Sequence, residues 1–150
     1  MDQTDRKLVQ MLQQDARQPN GQLAEKLNLS ASACWRRVKA LEDAGVIERY
    51  GAVINPAAMG LGFEAIVHVH LTRHDTTALE RFIVALQQRS EVTECFATTG
   101  QADYHLRVHC RDIDAYNTFL EQFLFLQPAV NSAQTNVVLR RIKSNAPLGG

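Results

Sequence analysis

The sequence predicts an α+β chain in two parts: an N-terminal helix-turn-helix (winged-helix-like) segment joined to a ferredoxin-like βαββαβ domain. Three observations carry this. The N-terminal third holds three short apolar stripes at helical spacing, the second and third set apart by only three residues. A stretch with Pro56, Gly60 and Gly62 then ends the helical periodicity. From Phe63 onward, alternating runs and helical stripes follow in the order β, α, β, β, α, β. We set the parts at 1–52 and 63–150, with 53–62 as linker.

The first helix is read over Asp5 to Arg17, where Leu8, Val9, Leu12 and Ala16 form one stripe, with an acid in the first turn and a base in the last. Pro19-Asn20-Gly21 breaks it, and Asn20 is the expected cap of a short second helix with Leu23, Ala24 and Leu27 inward. After the turn Asn28-Leu29-Ser30, Ser30 is placed to cap a third helix from Ala31 to Ala44 that ends at Gly45. Val46-Ile47 with Arg49-Tyr50 suggests a small flanking strand.

In the second part, Phe63, Ala65, Val67, Val69 and Leu71 alternate with Glu64, His68, His70 and Thr72, the pattern of a strand covered on one side. Thr77 to Glu80 reads as a capping box before a stripe of Leu79, Phe82, Ile83 and Leu86. A strand over Val92 to Thr99, the turn Gly100 to Asp103 and a strand with Tyr104, Leu106, Val108 and Cys110 on one side make a hairpin. Asp112 should cap a helix bearing Ile113, Tyr116, Phe119, Leu120 and Phe123, which stops near Pro128 before a last strand from about Ala133 to Ile142. Both helices then lie on one face of the sheet. The other face, polar but not highly charged, should pair with a second copy.

Composition narrows what such a chain does. Its 150 residues carry sixteen Lys/Arg against sixteen Asp/Glu, so binding to nucleic acid or anionic membrane through bulk charge is excluded and any such binding needs a local patch. A 45% hydrophobic content excludes a disordered chain. No apolar run approaches the roughly 20 residues of a membrane span. The polar start, Met1 to Asp5, lacks the pattern of a secretory signal, so the expectation is a cytoplasmic protein. Cys34, Cys95 and Cys110 form no CxxC pair and are expected as reduced, buried thiols without a metal. GxSxG, HExxH, P-loop and GxGxxG patterns are missing, which speaks against an enzyme.

A local patch is present on the third helix. Cys34, Val38 and Leu41 point inward at i, i+4 and i+7, leaving Ser32, Trp35, Arg36 and Lys39 on the free side. A basic face is often only solvated surface, but a helix-turn-helix lays its second helix in the major groove of DNA.

Further residues sharpen this. Asp5 to Leu8, Leu23-Ala24, Leu29 to Glu42 and Gly45-Val46-Ile47, with Val92 to Cys95, Thr98-Thr99-Gly100, Asp103-Tyr104 and Val137-Val138-Leu139, resemble the leucine-responsive/asparagine-activator (Lrp/AsnC) family of transcription regulators over almost the whole chain. Two segments depart from the family pattern: Leu126-Gln127-Pro128-Ala129-Val130 and the tail Ser144-Asn145-Ala146-Pro147-Leu148. The resemblance implies a sequence-specific regulator of operator DNA that dimerises through its second domain, assembles towards an octamer and responds to a small effector, an amino acid by the family's habit. The rival reading is a ligand-independent architectural DNA-binding protein.

The expected DNA-binding residues are Ser30, Ser32, Trp35, Arg36, Arg37 and Lys39. Arg37 is divided between a phosphate and an internal acid such as Glu42 or Asp43, and Trp35 between DNA and packing. The resemblance suggests an effector site at Thr98, Thr99, Gly100, Gln101, Asp103 and Tyr104: Asp103 for the ammonium, backbone amides near Thr99 and Gly100 for the carboxylate. An ordinary hairpin turn is the plainer reading. Finally, His68, His70, His105 and His109 share the polar face on neighbouring strands, as interface lining, a pH-sensitive contact or a metal site.

Overall fold

The structure, a computed structural model, describes residues 1–72 and 75–148. It divides into two compact units, Met1–Val53 with the residues from Ile142 on, and Ile54–Arg141.

In the first unit, helix α1 spans Gln3–Gln14, α2 Asn20–Lys26 and α3 Ala31–Asp43. Helix α1 starts earlier than its stripe suggested, because Asp2 accepts the Asp5 N–H while Asp5 accepts that of Asp2, a reciprocal capping box. It also ends earlier, at C-cap Asp15, so Arg17 is not in its last turn. Asn20 does not cap α2. That position is held by Pro19, and the Asn20 amide instead donates to the Ala31 carbonyl at 2.9 Å, tying the start of α2 to the start of α3. The turn between them uses Asn28 at φ +53°, a left-handed conformation that Asn tolerates. Ser30 caps α3 as expected, accepting the Ala33 N–H at 3.1 Å. At the far end Gly45, at φ +70°, closes a Schellman motif in which Val46 N–H reaches the Leu41 carbonyl.

Leu8, Leu23, Ala24, Cys34 and Leu41 form the core of this unit, with Val38 and Ile47 packed against it. The expected flanking strand at residues 46–50 does not form. Ile47 is drawn to the core and Tyr50 donates its hydroxyl to Glu42, so the segment is anchored by side chains instead of a ladder.

The second unit contains strands β1 (Phe63–Leu71), β2 (Val92–Ala97), β3 (Tyr104–Cys110) and β4 (Val130–Val137), with helices α4 (Thr76–Gln87) and α5 (Ile113–Gln122). The antiparallel sheet runs β2-β3-β1-β4, which is the ferredoxin-like order. Ala65, Val67, Val69, Leu106 and Val108 pack beneath Phe82, Leu86, Tyr116 and Phe119 from the two helices.

Several element ends differ from expectation. Asp75, not Thr77, caps α4 by accepting the Ala78 N–H, which turns Ala78, Phe82 and Leu86 inward and leaves Ile83 36% exposed. Asp112 does cap α5, but Ile113 in its first turn faces outward. Strand β2 stops at Ala97, where Thr98 closes the hairpin by donating to the Asp103 carbonyl. Strand β4 is shifted towards the N-terminus: Val138 makes the last bond to β1, at Glu64, and beyond it Leu139 and Ile142 are exposed because β1 offers no further partner. Cys34 and Cys110 are buried, which pushes both thiols up, while Cys95 lies exposed on β2 against expectation.

Leu8 is completely buried where the three N-terminal helices meet. We expect Leu8→Ala to cost about 2–5 kcal/mol, read as an earlier urea midpoint for the first unit with the second unit's transition unmoved.

Candidate nucleic-acid interface and effector turn

The recognition face is built from the inward half of α3. Burying Cys34 and Leu41 forces the opposite side of the helix into solvent, where Trp35 is 59% exposed. Its ring is therefore not part of the helical core. Ser30 is occupied as the cap, and Ser32 lies 3.2 Å from it, hydroxyl to hydroxyl, at the helix start.

The three bases of α3 have different fates. Arg37 reaches back to α1, 2.6 Å from Asp5 and 2.8 Å from Asp2. Its internal partners are therefore the α1 capping carboxylates, not the suggested Glu42 or Asp43, because Arg37 sits on the flank of α3 that faces α1. The hydrogen bond to Asp5, then that to Asp2, raises the Arg37 pKa, and Asp2 is lowered by the Asp5 N–H and next by Arg37. Lys39 pairs with Asp43 at 2.8 Å, one helical turn on, and that hydrogen bond raises its pKa. Among the described residues Arg36 alone of the three has no acidic partner. DNA reaching Lys39 competes with Asp43, whereas Arg36 is unencumbered.

The turn between β2 and β3 is held from both sides. Thr98 donates its hydroxyl to the Ala102 carbonyl, and Asp103 N–H binds the Val69 carbonyl. Gly100 sits at φ +125°, a region that side chains with a Cβ avoid. Asp103 accepts the Leu71 N–H through Oδ2 at 2.8 Å, so it anchors the hairpin to the end of β1, and its Oδ1 has no partner among the described residues. The N–H groups of Thr99, Gly100 and Gln101 have no partner among the described residues. Tyr104 turns the other way, to the helix side, where its ring stacks on Phe82 at 6.3 Å. The turn thus gathers Thr98, Thr99, Gly100, Gln101 and Asp103, while Tyr104 belongs to an adjoining groove of about 380 Å³ with Ile83, Leu86, Cys95 and Ala97. No spacing signals that groove, because it forms between α4 and β2, which meet only in the folded sheet.

Of the four histidines, two come together. His68 and His105 are register partners, whereas His109 stands opposite Glu64 and His70 has no histidine opposite. His109 is buried beside a Glu64 carboxylate that holds Arg141 at 3.0 Å and Arg107 at 3.6 Å; burial pushes its pKa down, Glu64 opposing. Among the described residues no three His, Cys, Asp or Glu side chains are grouped so as to hold a metal ion. Nor is any helix among them long and apolar enough to cross a membrane.

A helix-turn-helix with an outward basic and aromatic face, joined in one chain to an antiparallel βαββαβ domain, defines a two-domain transcription regulator. Residues 64–148 match the Lrp/AsnC ligand binding domain and residues 1–48 a winged helix-turn-helix DNA-binding domain. The chain belongs to the Lrp/AsnC family and is a DNA-binding transcriptional regulator. It is 34% identical to the transcriptional regulatory protein DoeX of Halomonas elongata (95% of this chain, 90% of that one) and 33% identical to the leucine-responsive regulatory protein of Escherichia coli K12 (97% and 88%). A transcriptional regulator from Neisseria meningitidis, solved as its L-Met complex, superposes with a TM-score of 0.95 at 37% identity, covering 99% of this chain and 96% of that one. These relatives are regulators, in line with the reading that excluded an enzyme.

Arg36→Ala should weaken binding to duplex DNA by about 1–3 kcal/mol per recognition helix and lower the salt slope by about one, with thermal unfolding unchanged. Arg37→Ala should do the reverse: an earlier unfolding midpoint, from the unpaired Asp2 and Asp5, and a smaller loss of DNA affinity. Anisotropy titrations over a salt series, paired with melting curves, separate the two.

Proposed function

We propose that this regulator reads a specific operator sequence through Trp35, Arg36 and Lys39, with Ser32 near the helix start, and that a small amino acid bound at the β2–β3 turn alters its assembly or its DNA affinity. The observation that carries the effector reading is the turn itself. It offers three unpartnered N–H groups for a carboxylate beside the free Oδ1 of Asp103 for an ammonium. The groove lined by Ile83, Leu86 and Tyr104 adjoins it and favours an apolar side chain. The L-Met complex of the Neisseria regulator supports the same class of ligand.

The open face of the sheet, with Ile66 half-buried and Phe96 exposed beside the polar residues, is read as the surface on which a second copy packs. Association of dimers into an octamer is the further step of the same reading. A formally neutral chain presenting one unpaired cation per recognition helix gains affinity by placing several helices on one DNA.

Calorimetry against the standard amino acids, with molar mass measured in parallel, should find an apolar amino acid that binds and changes assembly. Asp103→Asn keeps the acceptor for Leu71 N–H but removes the charge, and should weaken that binding by about 1.5–3 kcal/mol. No heat from any amino acid defeats the effector reading. Equal affinity for the chain's own upstream DNA and for random DNA of the same length would favour the architectural alternative.

A further inference from the structure

On the open face of the sheet, side chains from three strands form a hydrogen-bonded row. His68 on β1 and His105 on β3 are cross-strand partners whose Nδ1 atoms lie 2.7 Å apart, the rings edge-on at 88°. On the other flank Asn136 of β4 places its amide nitrogen 3.0 Å from His68 Nε2. A nitrogen-to-nitrogen contact of 2.7 Å contains one proton: one Nδ1 donates and the other must be bare. With Asn136 donating to Nε2, His68 carries its proton on Nδ1 and passes the bond to the bare Nδ1 of His105. With the amide turned over, the row runs the opposite way and the count is the same.

The row tolerates one added proton. His68 can be protonated on both nitrogens if Asn136 presents its oxygen and His105 Nδ1 still accepts. A second proton puts two N–H groups and two positive charges face to face, and the contact must open.

Of the carboxylates on the strands around the pair, Glu64 and Glu94 are matched by arginines, and Asp103, two residues before His105, is engaged by the Leu71 N–H. Glu64 on β1 is matched by Arg107 of β3 and by Arg141 beyond β4, and Glu94 of β2 lies 3.4 Å from Arg107. Strand β4 adds only the neutral Ser132, Gln134 and Asn136 to this face. The remaining titratable groups there, His70 and His109, are themselves imidazoles, each with a buried Nδ1 that lacks a partner.

We propose that this face is a proton-gated self-association surface: the His68–His105–Asn136 row holds a second copy of the chain while the pair carries at most one added proton, and releases it when both imidazoles are charged. This rests on the reading above that the open sheet face meets its counterpart in a dimer. Two-fold symmetry puts the same pair on both copies. Within the contact, loss of water makes a doubly charged pair costly; on separated copies both rings are solvated and can protonate.

Dissociation therefore takes up protons, at most one per pair and two per dimer. By linkage the dissociation constant rises as pH falls, by at most about 100-fold per pH unit.

The test is sedimentation of the full chain from pH 8 to pH 5.5 at constant ionic strength, with and without a chelator. His105→Asn, which keeps a polar amide opposite His68 but cannot take the second proton, is run alongside, with circular dichroism at each pH. We expect a dimer at pH 8 whose dissociation constant rises at least about tenfold by pH 5.5 in the parent and less than about threefold in His105→Asn. A monomer at pH 8 removes the dimer reading and the gate with it. A dimer at pH 8 with a flat profile, an equal rise in the variant, or a response that chelator abolishes overturns the gate alone. Should His105→Asn fail to fold, His68→Asn answers the same question. Nitrogen-15 imidazole spectra of the parent complete the test: a doubly protonated pair in an intact dimer overturns the proposal.

Discussion

The constraint on which this molecule depends is the register of β1. This strand is bonded on both sides, to β3 and to β4, so its alternation fixes the two faces of the whole sheet. Ala65, Val67 and Val69 go under the helices, and Glu64, Ile66, His68 and His70 go to the open side. A slip of one residue would bury Glu64 and His68 against Phe82 and Phe119, placing a charge and two imidazole nitrogens where no partner exists. The same register brings His105 opposite His68 and His109 opposite Glu64, and it places the end of β1 where Leu71 N–H meets the Asp103 carboxylate. The shape of the β2–β3 turn and the chemistry of the open face are two consequences of one pairing.

In the N-terminal unit a different economy of charge operates. Three bases lie close together on α3, yet geometry leaves only one unpaired. Arg37 is placed where two carboxylates already cap α1, and the three groups together fasten the first helix to the third. Such exposed pairs contribute little energy singly. Their effect is on position, since they define how α1 crosses the base of the recognition helix. Lys39 is held loosely by a neighbour one turn away, an interaction that salt or a phosphate displaces.

Much of this was legible in the residues. The Ser30 cap, the Gly45 stop, the inward set Cys34, Val38 and Leu41, and the βαββαβ order all follow from local rules, because each depends on residues within a turn or a strand of one another. What failed has a common cause. Pro19 and Asp75 hold cap positions that were assigned to Asn20 and Thr77, and the Asp2–Asp5 box that starts α1 was not anticipated, because several polar residues compete near each helix start and tertiary packing chooses among them. The end of β4 was misplaced because Val138, Leu139 and Ile142 keep the segment apolar after pairing with β1 has ended. The Arg37 partners lie 32 and 35 residues away, beyond any periodicity. Within the turn, the Gly100 conformation followed from composition, but the Asp103 bond to Leu71 and the turning away of Tyr104 appear only with the sheet assembled.

On the proposed reading, a formally neutral chain gains DNA affinity by assembling several copies on one duplex. With Arg37 committed to α1 and Lys39 shared with Asp43, a single recognition helix neutralises few phosphates, and the electrostatic contribution grows mainly with the number of helices on one duplex. Joining copies converts the later contacts into intramolecular ones, so a modest change in self-association becomes a large change in occupancy of DNA. On the proposed reading, a ligand at the β2–β3 turn and a proton on the His68–His105 pair act on the same quantity from two places in one sheet. The turn closes on the end of β1 through Asp103, and the pair sits on β1 three residues before Leu71. Both report to the strand whose register orders the domain. The ligand-binding unit then needs no contact with DNA to regulate it, only control over how many copies arrive together.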